Sequence, residues 1–194
     1  MATENPTALN DFRNAGALLE GHFLLTSGLH SPKYLQCAQV MQDPAMAGRL
    51  CAQLARSLAA GRIECVVGPA IGGILVAYEL ARALGVRAIY AERQDGKMTL
   101  RRGFAVRPGE RVLLCEDVVT TGGSLLEVRD VVAAAGGQVV AVAALVDRTS
   151  GRDPGLGLPL TALLKVDVPT YQPQDCPMCR AGLPLVSPGR TGKK

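Results

Sequence analysis

The chain has 194 residues, 48% of them hydrophobic and 20% charged, with a net charge of +4. That length supports one domain with a real buried core, and no run reaches the ~18 to 20 apolar residues that a membrane helix requires. Four Tyr, three Phe and no Trp offer few platforms for stacking bases. The positive charge gathers in the tail GRTGKK and at Arg101 and Arg102, with no basic stripe, so small anionic ligands explain it as well as nucleic acid does.

The N-terminal MATENPTALNDFRNAG lacks the basic start and apolar core of a secretory signal, which points to a cytoplasmic protein. ALNDFRNAGALLE reads as an opening helix. HFLLTSGLHSPKYLQCAQV follows as a pair of strands around a turn that holds Gly28, His30, Ser31 and Pro32. Asp43–Pro44 starts a helix, PAMAGRLCAQLARSLAAG, with proline in its first turn and Gly61 past its end. From residue 62 the rhythm is regular. Strand IECVV meets the turn GPAIGG and helix ILVAYELARALG; VRAIYAER is the next strand. The polar, basic QDGKMTLRRGFAVRPGE reads as a long loop or a mobile hairpin. Strand RVLLCEDV, turn VTTGGS, helix LLEVRDVVAAAGG and strand QVVAVAALVDR complete the core, and one more strand precedes a proline-rich tail. Apolar strands joined through helices predict an α/β fold with a parallel sheet covered on both faces. A single domain over 1–194 is expected, with a core of about 62–150 and a small cap from about 1–42 and the tail.

Of six cysteines, Cys37, Cys51, Cys65 and Cys115 lie in apolar runs and read as buried core residues. Only Cys176 and Cys179, in CPMC, have a suggestive spacing. A zinc site needs four ligands, there is no second CxxC, and His22 and His30 stand far upstream. A reduced pair or a disulfide is therefore expected over zinc, which a dimer joining two such pairs would also allow.

Ligands of open α/β sheets bind beyond the carboxyl ends of the strands. In CEDVVTTGGS the segment Thr120, Thr121, Gly122, Gly123 and Ser124 enters a helix, where unpaired N–H groups and a positive partial charge suit a phosphate. Neither the P-loop spacing nor a GxGxxG fingerprint is present. Glu116 and Asp117 would repel a phosphate, so they call for hydroxyls or a cation. A ribose 5-phosphate satisfies both halves, and the acids would favour Mg²⁺ beside the sugar hydroxyls; a capped helix start with two solvated acids is the alternative. GPAIGG has the same setting without acids, and reads either as a tight turn or as a cradle for a second anion. The loop with Arg93, Lys97, Arg101 and Arg102 reads as a solvated hairpin or as a lid over a reacting phosphate. Arg148 either pairs with Asp147 or grips a planar anion.

A hydrophobic strand, two acids and then VVTTGGS resembles the phosphoribosyl-diphosphate (PRPP) motif of the type I phosphoribosyltransferases. GHFLLTSGLHSPKYLQ, YAERQDGKMTLRRGF and ALVDR narrow the likeness to the orotate phosphoribosyltransferases, and the tail CPMCRAGLPLVSPG is similar to one branch of them. The likeness spans nearly the whole chain. It implies a type I phosphoribosyltransferase fold with a hood, and transfer of the phosphoribosyl group from PRPP to orotate in pyrimidine synthesis. It also implies Mg²⁺ held mainly by PRPP, with no metal ligand assigned to the protein. By the same resemblance, Glu116 and Asp117 hold the ribose hydroxyls and Val118, Val119, Thr120, Thr121, Gly122, Gly123 and Ser124 bind the 5-phosphate. Thr120 is also near orotate, and Arg148 holds its ring. Arg93 and Lys97 bind diphosphate, so that Asp117, Lys97 and Arg93 form the catalytic set. A homodimer is implied, its basic loop reaching the neighbouring site; neither membrane nor nucleic acid is expected as a partner. The chain departs from the family at Thr26 and Gly72, where many members carry lysine, and at Gln94, in a loop without the family's histidine and extra lysine. Lys33, Arg101 and Arg102 are the candidate substitutes. A purine phosphoribosyltransferase and a PRPP-sensing, nucleic-acid-binding regulator are the rival readings; the missing DNA-binding domain and the intact basic loop oppose the second.

Overall fold

The computed structural model describes residues 5–25, 28–59 and 61–188; Thr26 lies outside them. Helix α1 (Pro6–Asn14) is capped by the Asn5 side chain, which accepts from the Ala8 N–H. It stops well short of Glu20, because Gly16 turns the chain at φ +66° and Leu18–Leu24 form strand β1. β1 pairs antiparallel with β2 (His30–Leu35). The turn therefore precedes His30, and His30, Ser31 and Pro32 lie in the strand. Tertiary pairing explains the difference: the His30 N–H and C=O bond the C=O and N–H of Tyr171, both at 2.9 Å, which fixes His30 as extended chain. The stretch after Leu35 is helical, not strand. In α2 (Cys37–Met41) the buried residues Cys37, Val40 and Met41 follow helical spacing.

Helix α3 (Pro44–Arg56) has Asp43 as its N-cap, accepting from the N–H groups of Ala45 and Met46, and ends before the expected Gly61. Strand β3 (Cys65–Pro69), helix α4 (Gly72–Leu84), strand β4 (Arg87–Gln94) and strand β5 (Lys97–Leu100) follow. Then come strand β6 (Arg111–Val119), helix α5 (Gly123–Ala134), strand β7 (Gln138–Asp147) and strand β8 (Leu160–Lys165). The tail holds a 3₁₀ turn, Pro173–Asp175, and a short helix α6 (Pro177–Arg180).

The main sheet has six strands in the order β5-β4-β3-β6-β7-β8. All neighbours are parallel except β5, which folds back on β4. QDGKMTL is thus a β-hairpin. Asp95 and Gly96 take φ +51° and +80°, as a two-residue type I′ turn requires. Along β6 the side chains alternate between two cores. Leu113 and Cys115 join Leu50, Leu54, Val76 and Leu80 from α3 and α4, whereas Val112 and Leu114 join Leu125, Val128 and Val132 from α5. Helices thus cover both faces. The strand order reverses between β3 and β6, whose carboxyl ends flank the crevice where such sheets bind ligands.

The tail packs on the β1–β2 hairpin. Besides the Tyr171 pair, the Val186 N–H donates to the His22 C=O and the Leu24 N–H to the Val186 C=O, both at 2.8 Å. This overturns the expectation that the histidines are remote from CPMC. His22, His30, Cys176 and Cys179 present ligand atoms within 4.8 Å of one another, because the antiparallel hairpin brings the histidines together and the tail returns across it.

Candidate active site

The turns after β3 and β6 lie side by side at the crevice. The glycines set how closely they approach. A Cβ on Gly72 would stand 2.6 and 2.8 Å from the Asp117 carboxylate oxygens, so Asp117 rests against the bare backbone that opens α4. This is the physical counterpart of the family departure at that position, since any side chain there must displace Asp117. At the head of α5, Gly122 takes φ +79°, a left-handed geometry that glycine adopts without cost. The first N–H groups of α5 consequently face the end of β6. Glu116, Val118, Val119, Thr120, Thr121, Gly122, Gly123 and Ser124 line a small hollow of about 70 Å³ there, with room for a compact anion. A wider depression of about 600 Å³ lies by Arg62, Glu64, Arg87, Arg107 and Glu110, at the amino ends of the strands, away from the crevice.

Glu116 and Asp117 are half-buried at the end of β6. Burial pushes the Glu116 carboxyl up to about 9, and the Asp117 charge beside it adds to the rise. Burial also raises Asp117, against the hydrogen bond it accepts from the Val118 N–H at 2.7 Å. Neither acid has a cationic partner within 4 Å among the described residues. These are not the solvated acids of a simple capped helix.

Arg148 is the complement. Its backbone N–H donates to the Val119 C=O at 2.8 Å, which fixes it beside the β6 turn. Burial lowers its guanidinium, and Tyr34 and Cys37 lie near enough to oppose that shift. The pairing with Asp147 does not form: Asp147 Oδ1 accepts from the Thr149 N–H at 2.8 Å instead. Cys37 is buried, as its apolar run predicts, but its nearness and that of Tyr34 to Arg148 could not be read from the sequence. Both come from the hairpin region, and the Cys37 thiol reaches the Asp117 carbonyl at 4.0 Å; no spacing signal could have linked them to residues 117 and 148.

The basic residues are largely engaged elsewhere. Arg93 bonds Glu127 of α5 at 2.6 Å and the Gly96 carbonyl at 2.9 Å. Arg102 grips Glu92 with two bonds of 3.0 and 3.1 Å, Arg101 stands 3.8 Å from the same acid, and Lys33 pairs with Glu20 at 3.4 Å. Lys97, on β5, has no ion pair among the described residues.

The chain can therefore offer N–H donors to a phosphate, two carboxyls to hydroxyls or a cation, and a guanidinium to an anion, these three charged groups having no ion pair among the described residues. Proteins of known function share this framework. Residues 38–163 match the phosphoribosyl transferase domain. The orotate phosphoribosyltransferase of Heliobacterium modesticaldum is 58% identical over 183 residues, covering 93% of this chain and 95% of its own. That of Carboxydothermus hydrogenoformans is 57% identical over 180 residues, covering 92% and 94%. Among solved structures, the orotate phosphoribosyltransferase from Aeropyrum pernix superposes with a TM-score of 0.66 at 27% identity, over 81% of this chain and 92% of that one. Identity this high along nearly the full length, on this fold and with these groups gathered at its crevice, means that the chain belongs to the orotate phosphoribosyltransferase family.

Proposed function

We propose that the chain transfers the 5-phosphoribosyl group of PRPP to orotate, releasing diphosphate and forming orotidine 5′-monophosphate for pyrimidine biosynthesis. One observation carries the site assignment. Two half-buried acids with no ion pair among the described residues stand beside a backbone anion cradle, and Arg148, half-buried and likewise without an ion pair among those residues, is tied by its backbone to the end of the same strand. Val118 to Ser124 take the 5-phosphate, Glu116 and Asp117 the ribose hydroxyls, and Arg148 with Thr120 the orotate ring. Burial that leaves the acids without a cation suits an oxygen-liganded divalent ion, so Glu116 and Asp117 are the residues that would approach Mg²⁺ held chiefly by PRPP. Bound there, the ion supplies positive charge to the diphosphate.

Substitution at the ribose C1 needs no protein nucleophile. Glu116 and Asp117 fix the sugar by its hydroxyls while Arg148 orients the orotate carboxylate or ring, so the two reactants meet in a productive alignment. Arg93 and Lys97 stabilise the departing diphosphate, with Arg93 first leaving Glu127.

In this reading the chain works as one domain, with the β1–β2 hairpin and tail as its hood, in the cytoplasm. No described helix is long and apolar enough to cross a membrane. It acts as a homodimer whose β4–β5 hairpin serves the neighbouring site. Ile71, Leu75 and Tyr78, at 86, 51 and 62% exposure, align on one side of the start of α4, an apolar stripe that a second subunit would cover. The test is loss of orotate absorbance with purified protein, PRPP and Mg²⁺, with adenine and guanine in parallel. Consumption of orotate alone, abolished by a chelator, is expected; consumption of a purine instead would reject the substrate assignment.

A further inference from the structure

We propose that His22, His30, Cys176 and Cys179 form a structural zinc site that fastens the C-terminal tail to the β1–β2 hairpin, separate from the PRPP crevice. His22 Nδ1 lies 2.9 Å from the Leu183 carbonyl. Facing a carbonyl it must carry the proton, which leaves Nε2 with its single lone pair. Three groups converge on that nitrogen: His30 Nδ1 at 2.9 Å, Cys176 Sγ at 3.6 Å and Cys179 Sγ at 3.6 Å. One lone pair accepts one good hydrogen bond, so hydrogen bonding does not account for the convergence. A shared cation does. Zn–S bonds of about 2.3 Å and Zn–N bonds of about 2.05 Å in a tetrahedron set S···N edges of about 3.5 Å and an N···N edge of about 3.3 Å. Three of the four S···N distances here are 3.6, 3.6 and 3.2 Å, all four ligand atoms lie within 4.8 Å of one another, and the imidazoles need open by only a few tenths of an ångström to reach that N···N edge.

The surroundings fit a closed structural site. His22, His30 and Cys176 are 3, 5 and 0% exposed, and the Leu183 carbonyl is the kind of outer partner that orients a ligating imidazole. Two sulfurs and two imidazoles favour zinc over the oxygen-seeking Mg²⁺. The tail also needs a fastening. Between 172 and 188 only Cys176 and Met178 are buried hydrophobics, while Leu183, Leu185 and Val186 are 49, 45 and 49% exposed. A segment with so little core is held by cross-links or metal in small folds. Binding converts two thiols to thiolates, releasing their protons to solvent.

The test is metal content of the untagged, reduced protein by plasma mass spectrometry. About one zinc per chain is expected, falling below about 0.2 in Cys179→Ser, whose exposed position leaves folding of the core unaffected. Cobalt added to metal-free wild-type protein under anaerobic conditions should give the visible bands of a tetrahedral thiolate site. Hydrogen exchange should show residues 171–186 losing protection on zinc removal while β3, β6 and β7 keep theirs. Wild-type protein with all six thiols free, below about 0.1 zinc per chain and without a cobalt spectrum would overturn the site. So would a Cys176–Cys179 disulfide in protein isolated under non-reducing, metal-replete conditions.

Discussion

Adjacent carboxyls on β6 differ in what each contributes. Asp117 is pressed against Gly72 and accepts from the Val118 N–H at 2.7 Å, so its position is fixed by backbone and suits holding a ribose hydroxyl. Asp117→Asn keeps the shape and removes the charge; turnover should fall about 10²- to 10³-fold, comparable to loss of a key electrostatic group, with the fold intact by circular dichroism. Near-normal turnover would remove Asp117 from the catalytic set. Glu116 carries the larger electrostatic cost. Its carboxyl is pushed up to about 9 from an ordinary 4.5, so between those values the folded chain keeps a proton that the unfolded chain has released. Stability contributed by this group is level below pH 4.5 and declines as pH rises towards 9. Glu116→Gln abolishes that decline. Ligand-free variant and wild type should melt together near pH 4.5, while at pH 8 the variant should be more stable by about 1–2 kcal/mol, the half-buried carboxyl retaining some water. Thermal melts across pH measure this; a variant less stable at pH 8 would refute the assignment.

Between elements, the amino ends of the strands are tied by a buried ion pair while the carboxyl ends carry the candidate site. Glu110, 5% exposed, accepts from Arg87 Nε and from the Arg107 N–H, both at 2.9 Å. It thereby joins the start of β4 to the turn that feeds β6. Arg87 holds the Glu110 carboxyl below the usual range, so the stability it contributes is present above pH 4.5 and is lost as pH falls through the lowered value. Glu110→Gln should cost about 1–3 kcal/mol at pH 7 in denaturant unfolding, with the gap to wild type narrowing below pH 4. A gap that stays constant with pH would assign the effect to packing. The strand–turn–helix of the candidate site was plain in the sequence at this scale, because VVTTGGS joins β6 to α5 over contiguous residues. The hairpin turn was not placed as well: His30 is extended because Tyr171, 141 positions away, completes its hydrogen bonds.

For the whole molecule, the exposed Ile71–Leu75–Tyr78 stripe and a Lys97 without an ion pair among the described residues both bear on assembly. If the β4–β5 hairpin serves the neighbouring subunit, Lys97→Ala and Asp117→Asn impair different chains of one site. Each variant alone should be nearly inactive. Unfolded, mixed in equal amounts and refolded, half the dimers are mixed, and each has one intact site in two. About a quarter of wild-type activity should return. Activity no higher than the mean of the two variants would place Lys97 in its own subunit's site or outside catalysis.

Local pattern alone determined the α/β class, the apolar strands and the acid–glycine turn of the crevice. Periodicity and turn chemistry act between neighbours in the chain, and a parallel sheet brings successive strand ends to the same edge. Contacts between distant segments were decided only by the tertiary structure. Asp147 bonds Thr149 and not Arg148, Gly72 bears on Asp117, and His22 and His30 meet Cys176 and Cys179. No spacing encodes these meetings, since antiparallel pairing and the return of the tail set them through hydrogen bonds that span the chain.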